Sequence, residues 1–279
     1  MAVQLGIHVT PDSNPKNIEA LIRYLYQTQQ IFDSKSSLLE QLNNVGIGSR
    51  SEITALASEM GVIGAVSESQ IGLTKYGWVL AQIREEALND LLHYVLYTGW
   101  SKEQPRHFLQ SWAYRQCSDQ YWELEEVELT TTFSKKQVSD IANLVDEVFP
   151  LLGVQDYQEV SFSTKSINGV HKWLEALDPP VLVGKSYKRR TFCQPELMMM
   201  ALAYVLRDDA DIYETDVLLT PEIREQLCRI THLDPNALDE TLDWALSAYP
   251  KLVAPGTTAG FYGRFVRVRR LPQLVDMIR

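Results

Sequence analysis

At 279 residues, with 45% hydrophobic and 10% aromatic side chains, the chain is long enough for two or three domains and apolar enough to bury a core in each. Its formal net charge of −10 excludes a protein that coats nucleic acid indiscriminately, because phosphate contacts need local cations and an acidic whole repels the polyanion. No apolar run of about 18 residues and no basic-then-apolar leader is seen, and Cys117, Cys193 and Cys228 lack CxxC spacing, so a cytoplasmic protein with no membrane partner is expected.

Ile18, Leu21, Ile22, Leu25 and Tyr26 fall at helical spacing and predict a helix from about Asn17 to Ile31, with Asn14 and Pro15 as its start. A second helix is expected after Asp33 or Ser34, burying Leu38, Leu39 and Leu42 and stopping at Asn43, Asn44 and Gly46. A third, from Ser51 to Met60, turns Ile53, Leu56, Ala57 and Met60 inward. Gly61 to Val66 and Ile71 to Thr74, joined by the polar Ser67 to Gln70, then read as a β-hairpin.

The step that follows, Leu73-Thr74-Lys75-Tyr76-Gly77, resembles the Leu-Thr-x-x-Gly step that closes the wing and opens the next helix in MarR- and PadR-like regulators of the winged helix-turn-helix superfamily. The resemblance covers the first unit. It implies that the third helix enters the major groove and the hairpin lies on the backbone, which would put Ser49, Arg50, Ser51, Thr54 and Ser67 to Gln70 on the DNA side. Here that helix carries Glu52 and Glu59, and the hairpin tip carries Glu68 and no Arg or Lys. This favours a protein-docking or structural role for the first unit.

Further along, Glu85 to Leu96 and Pro105 to Tyr121 are expected as helices, followed by an acidic run (Glu123, Glu125, Glu126, Glu128) in an edge strand or connection, with a domain boundary near Thr132. Phe133 to Leu152 predicts another helix. A second helix-turn-helix follows at Ile167 to Leu177, which buries Val170, Trp173 and Leu174 and leaves Lys165, Asn168, His171, Lys172 and Glu175 for solvent or a groove. Its hairpin is expected to pair Val181-Leu182-Val183 with a returning strand from Lys188 to Phe192, and carries Lys185, Lys188, Arg189 and Arg190. A third unit is predicted from helices at Pro221 to His232 and Asp234 to Tyr249. Its hairpin alternates apolar residues with Arg264, Arg267, Arg269 and Arg270.

Metal chemistry is not expected. His93, His107 and Cys117 match no ligand pair; Cys228 and His232 lie four apart on one helical face, with His171 and Cys193 elsewhere, a scatter usual for core residues, with zinc as the alternative; and the acidic loop of Asp208, Asp209, Asp211, Glu214 and Asp216 lacks the glycine and closing glutamate of a calcium loop and reads as an exposed linker. Phosphate-binding, dinucleotide, HExxH, nucleophile-elbow and kinase motifs are all missing, so neither an enzyme nor a cofactor is expected. The fold class expected is mainly α with short β-hairpin wings (α+β): a winged helix over 1–84, a helical connector over 85–132, and one or two winged-helix-like units over 133–279. The function expected is a DNA-binding accessory or regulatory protein that grips the backbone of double-stranded DNA with its C-terminal basic wings, with a partner subunit or homodimer beside it. The alternative is a protein-docking adaptor of a prokaryotic multiprotein complex with an ATPase or nuclease. Its likeness there is architectural, to the acidic tandem winged-helix subunits of chromosome-organising ATPases and to phage-defence complexes.

Overall fold

The computed structural model of the chain describes residues 3–47, 50–155, 157–208, 213–256 and 263–278. A short strand, β1 (Val3–Leu5), precedes three helices, α1 (Pro15–Thr28), α2 (Lys35–Asn44) and α3 (Ser51–Glu59), and a hairpin of β2 (Ile63–Ser67) and β3 (Gln70–Leu73). Local chemistry sets these limits. Asn14 caps α1 through its side chain, with Pro15 at the first helical position, and Ser34 caps α2 in a capping box with Ser37. Thr74 accepts from the amide of Gly77 at 3.0 Å and donates to the carbonyl of Gly61 at 2.5 Å. It thereby starts α4 (Lys75–Leu80) and fastens it to the hairpin.

Helices α5 (Glu85–Thr98) and α6 (Leu109–Glu123) follow, then β4 (Glu126–Glu128), α7 (Thr131–Val148), β5 (Tyr157–Val160), α8 (Thr164–Glu175), β6 (Leu182–Val183) and β7 (Ser186–Lys188). The last stretch holds α9 (Pro195–Val205), β8 (Asp216–Leu218), α10 (Pro221–Thr231), α11 (Leu238–Ala248), β9 (Val253–Pro255) and β10 (Phe265–Val268). The whole is a mixed helix-and-strand protein dominated by helices with small sheets. No helix among the described residues is long and apolar enough to cross a membrane.

One connection order occurs three times: helix, strand, helix, helix, strand, strand, with the third strand in the middle of the sheet. It is seen in α6, β4, α7, α8, β6, β7, where β5 is interposed between α7 and α8, with sheet order β4-β7-β6, and in α9, β8, α10, α11, β9, β10, with sheet order β8-β10-β9. The first copy is α1, α2, α3, β2 and β3, its first strand reduced to an antiparallel bridge from Phe32 to Ile71 on β3. The segment 85–132, expected as a connector, therefore gives α6 and β4 to the second copy, and the boundary expected near Thr132 cuts through that copy. The returning strand expected from Lys188 to Phe192 ends at Lys188. Beyond it Arg190 forms a parallel bridge with Leu233, which draws the chain inward.

The copies share one continuous apolar core rather than three separate ones. β1 pairs in parallel with β5, the Trp173 indole donates to the Ser13 carbonyl at 2.9 Å, and His8 Nδ1 meets Ser166 Oγ. The N-terminal segment is thus seated on α8, and Gly169 permits the approach. A Cβ at Gly169 would stand 2.2 Å from the Val9 carbonyl oxygen and 2.7 Å from its carbon. Those are backbone atoms, so Gly169→Ala is expected to cost about 1–3 kcal/mol of overpacking, seen as a lower thermal midpoint. An unchanged midpoint would mean that Val9 does not rest on α8.

Candidate nucleic-acid interface

The second copy holds most of the residues expected on phosphate. On α8 the capping box of Ser163 and Ser166 opens the helix, and Ile167, Val170, Trp173 and Leu174 face the core. Lys165, Asn168 and Lys172 are exposed at positions that share one side of the helix. Lys172 is paired with Glu175 at 2.7 Å. His171 departs from expectation. It is half-buried, its Nε2 lies 2.6 Å from the Tyr121 hydroxyl, and that hydroxyl donates to Gln137 at 2.7 Å, so the ring is held by α6 and α7 instead of presenting an edge to a base.

The hairpin that follows is less basic in space than in sequence. Lys185 is exposed at its tip. Lys188 stands opposite Glu126 across the β4–β7 ladder, with its amine 3.1 Å from the carboxylate. The Arg189 guanidinium lies 4.0 Å over the Trp122 ring, donates to the Trp122 carbonyl at 2.7 Å and reaches Glu125 at 3.5 Å. Arg190 corrects the expectation most strongly: its side chain is 1% exposed, and Nη1 donates to a fully buried Asp90 at 3.0 Å. Nε donates to the Thr231 carbonyl at 2.7 Å, and Nη1 also reaches the Asp178 carbonyl at 3.1 Å. Two residues of the acidic run, Glu125 and Glu126, thus stand as counter-charges to Arg189 and Lys188, while Glu123 pairs with Arg229 at 3.0 Å.

The C-terminal arginines behave alike. Arg264 pairs with Asp239 at 3.3 Å and with Asp243, Arg267 with Asp216 at 2.9 Å, and Arg270 with Asp276 at 2.5 Å. Arg269 is exposed. The alternation read from sequence does divide the strand, with Val266 and Val268 buried and Phe265 and Arg267 only partly so. Most of the hairpin tip, 257–262, lies outside the described residues, as do Asp209 and Asp211 of the acidic loop.

In the first copy, Ser49 lies outside the described residues. Arg50 is exposed but bound to Asp12 at 2.6 Å, and Ser51 leans on Glu52 at 3.2 Å. Thr54 leaves the expected set: it is buried and donates to the Ser51 carbonyl at 3.1 Å. The helix in the third copy that corresponds to α3 and α8 is α11, and its outer positions include Asp239, Glu240, Asp243 and a partly exposed Trp244 stacked on Phe192 at 4.5 Å. Of the three equivalent helices, only α8 is basic.

Sequence reading missed the polar spine beneath these surfaces. Arg84 forks onto Glu196 at 3.1 and 2.9 Å, Tyr249 donates to the same carboxylate at 2.8 Å, and Gln194 joins Arg84 to Asp178. His93 donates from Nε2 to the Ile230 carbonyl at 2.8 Å, so its Nδ1 accepts from Tyr114 at 2.6 Å. His232 meets the Tyr187 hydroxyl at 2.8 Å. The three cysteines are free and buried, and burial pushes the Cys228 thiol up to about 12, which leaves it an inert thiol at neutral pH. Among the described residues no three His, Cys, Asp or Glu side chains gather where they could hold a metal ion. No family model, curated protein or solved structure matches the chain.

Proposed function

We propose that the chain is a non-catalytic adaptor of three serial winged-helix units, and that its first and third units dock protein while duplex contact is confined to the second. The winged-helix reading rests on the thrice-repeated order of helices and strands, with the third strand central. The adaptor reading rests on one observation: all but Arg269 of the arginines expected on phosphate in the second and third copies reach carboxylates of the same chain, from Arg190 on Asp90 to Arg264 on Asp239 and Asp243. A cation held by a carboxylate of its own chain must leave it to reach phosphate, at a high cost for the buried Arg190 and a small one for exposed pairs such as Lys188 with Glu126, so the clusters add less to a duplex-binding slope than their sequence suggests. The acidic outer positions of α3 and α11 favour a protein partner over a polyanion. An accessory subunit of a prokaryotic complex with an ATPase or nuclease fits this balance, and free buried thiols fit the cytoplasm.

Weak, accessory DNA binding is a second reading. The shared exposed side of Lys165, Asn168 and Lys172, with Lys185 nearby in sequence at the hairpin tip, supports it. Affinity capture of the full chain from its source cells, followed by chemical crosslinking and by ultraviolet crosslinking to nucleic acid, separates the two. The adaptor reading expects protein crosslinks concentrated on the first and third units. Nucleic-acid crosslinks on the second unit with no protein crosslinks would reject it in favour of the second reading.

A further inference from the structure

A polar cleft of about 860 Å³ opens between the loop that follows α5, helix α6, the C-terminal end of α9 and helix α10. Trp100, Lys102, Arg115, Tyr204, Arg207 and Gln226 contribute to its walls. Two guanidiniums are held ready there. Arg115 lies 5.3 Å from the Tyr97 ring centre and donates to the Tyr204 hydroxyl at 3.2 Å. Its nearest carboxylate, Asp119, is 3.9 Å away and already accepts from Tyr97 at 2.5 Å. Arg207 stacks on the opposite partner of that hydroxyl, the Tyr204 ring, at 3.8 Å, and pairs with its neighbour Asp208 at 3.4 Å.

These arginines differ from Arg190, which is locked on a fully buried carboxylate. Arg115 is oriented by aromatic and hydroxyl groups while its ion pair is loose, and the carboxylate beside Arg207 is 86% exposed. Glu103 also faces the group: the Ser101 hydroxyl first, and then the Arg207 and Lys102 charges, hold its carboxyl below the ordinary range. Exposed pairs of this kind are screened and easily exchanged for a ligand anion. Among the described residues three cations, Lys102, Arg115 and Arg207, thus meet two exposed carboxylates, Glu103 and Asp208, with Asp119 beside Arg115, in a concave site on a chain whose overall charge is −10.

Oriented guanidiniums match the paired oxygens of a phosphate. The cleft lies within the roughly 300–1,000 Å³ of small-molecule sites, well beyond the size of inorganic phosphate. Trp100 is half-buried in the wall, fixed through its indole N–H to the Pro105 carbonyl at 3.3 Å, and presents a flat apolar surface, while Thr98, Ser101 and Gln226 supply polar edges. We propose that this cleft binds an organic phosphate of nucleotide size, with the phosphate on Arg115, Arg207 and Lys102 and the base against Trp100. The site is independent of the adaptor reading and stands or falls separately.

Isothermal titration of the full chain with ATP, AMP, adenosine and inorganic phosphate tests it. ATP and AMP are expected to bind, and adenosine and inorganic phosphate to bind at least about tenfold more weakly. Arg207→Gln, at an exposed position, should weaken ATP and AMP by about tenfold with an unchanged thermal midpoint, and Lys136→Gln, outside the cleft, should bind as the parent does. Absence of binding by ATP and AMP at millimolar concentration and low salt overturns the proposal. So does equal affinity in the Arg207→Gln protein, or inorganic phosphate binding as tightly as AMP.

Discussion

An Arg190→Ala protein is expected to lose about 3–5 kcal/mol of stability. The guanidinium is the only cation that the described structure sets against Asp90, whose carboxylate is fully buried on α5 and otherwise accepts from the amides of Asp178 at 3.1 Å and Gln194 at 3.4 Å. Truncation leaves that charge in an apolar surround, where ionisation carries a heavy desolvation cost. It also orphans the Thr231 carbonyl on α10 and the Asp178 carbonyl beyond α8, so the loss spreads over the second and third copies. The pair Asp90→Asn with Arg190→Gln removes both charges and should recover part of the loss. Denaturant unfolding followed by circular dichroism measures it. A loss under about 1 kcal/mol, the range of a surface pair, would mean that Arg190 leaves the core in solution and is available to a phosphate.

Acid should unfold the protein through its buried histidines. Burial holds His93 down at about 3 and His171 at about 4, and puts His232 well below its ordinary value. An unfolded histidine protonates near 6.5. Between that value and its folded value each therefore binds a proton only in the unfolded chain, so the stabilisation is present above about pH 6.5 and is lost as the pH falls toward 4. The slope approaches about 1.4 kcal/mol per pH unit for each histidine, and about 4 for the three. Asp90 and Asp119, whose carboxyls burial holds up, titrate in the opposite sense and blunt the fall. His171→Gln isolates one contribution, because glutamine keeps a partner for Tyr121 without taking up a proton. Relative to the parent it should gain about 1.4 kcal/mol per pH unit from about pH 6 to about pH 4.5. Parallel stability curves for the two proteins would show that His171 is not buried as described.

Local chemistry was readable in the sequence, and long-range pairing was not. The caps at Asn14, Ser34 and Thr74, the hairpin at Ile63 to Leu73 and the inward face of α8 follow from residue type and period, and all lie where those rules put them. A strand of one residue has no period, so nothing in the sequence marks Phe32, although its bridge to Ile71 completes the first repeat. Asp216 was read with an exposed acidic linker, yet it begins β8 and holds Arg267. The same blindness inflated the basic clusters. Lys188, Arg189 and Arg190 are crowded in sequence, but Glu126, Glu125 and Asp90 come to them from 62, 64 and 100 residues away, distances over which composition carries no pairing information. Helical spacing alone puts His171 on an outer face, and the winged-helix resemblance puts Thr54 on the DNA side. His171 is instead held by α6 and α7, an arrangement only the tertiary structure supplies, and Thr54 is buried and donates to the Ser51 carbonyl within its own helix.

The central claim, that the basic clusters are spent inside the molecule, is tested most directly by binding of a mixed-sequence duplex across a salt series. The parent is compared with Lys188→Ala/Arg189→Ala and with Lys165→Ala/Lys185→Ala. Weak binding with a shallow salt slope, unchanged by the first pair of substitutions and abolished by the second, is the predicted result. Tight binding with a steep slope that the first pair removes would contradict it and return the basic hairpin to the DNA.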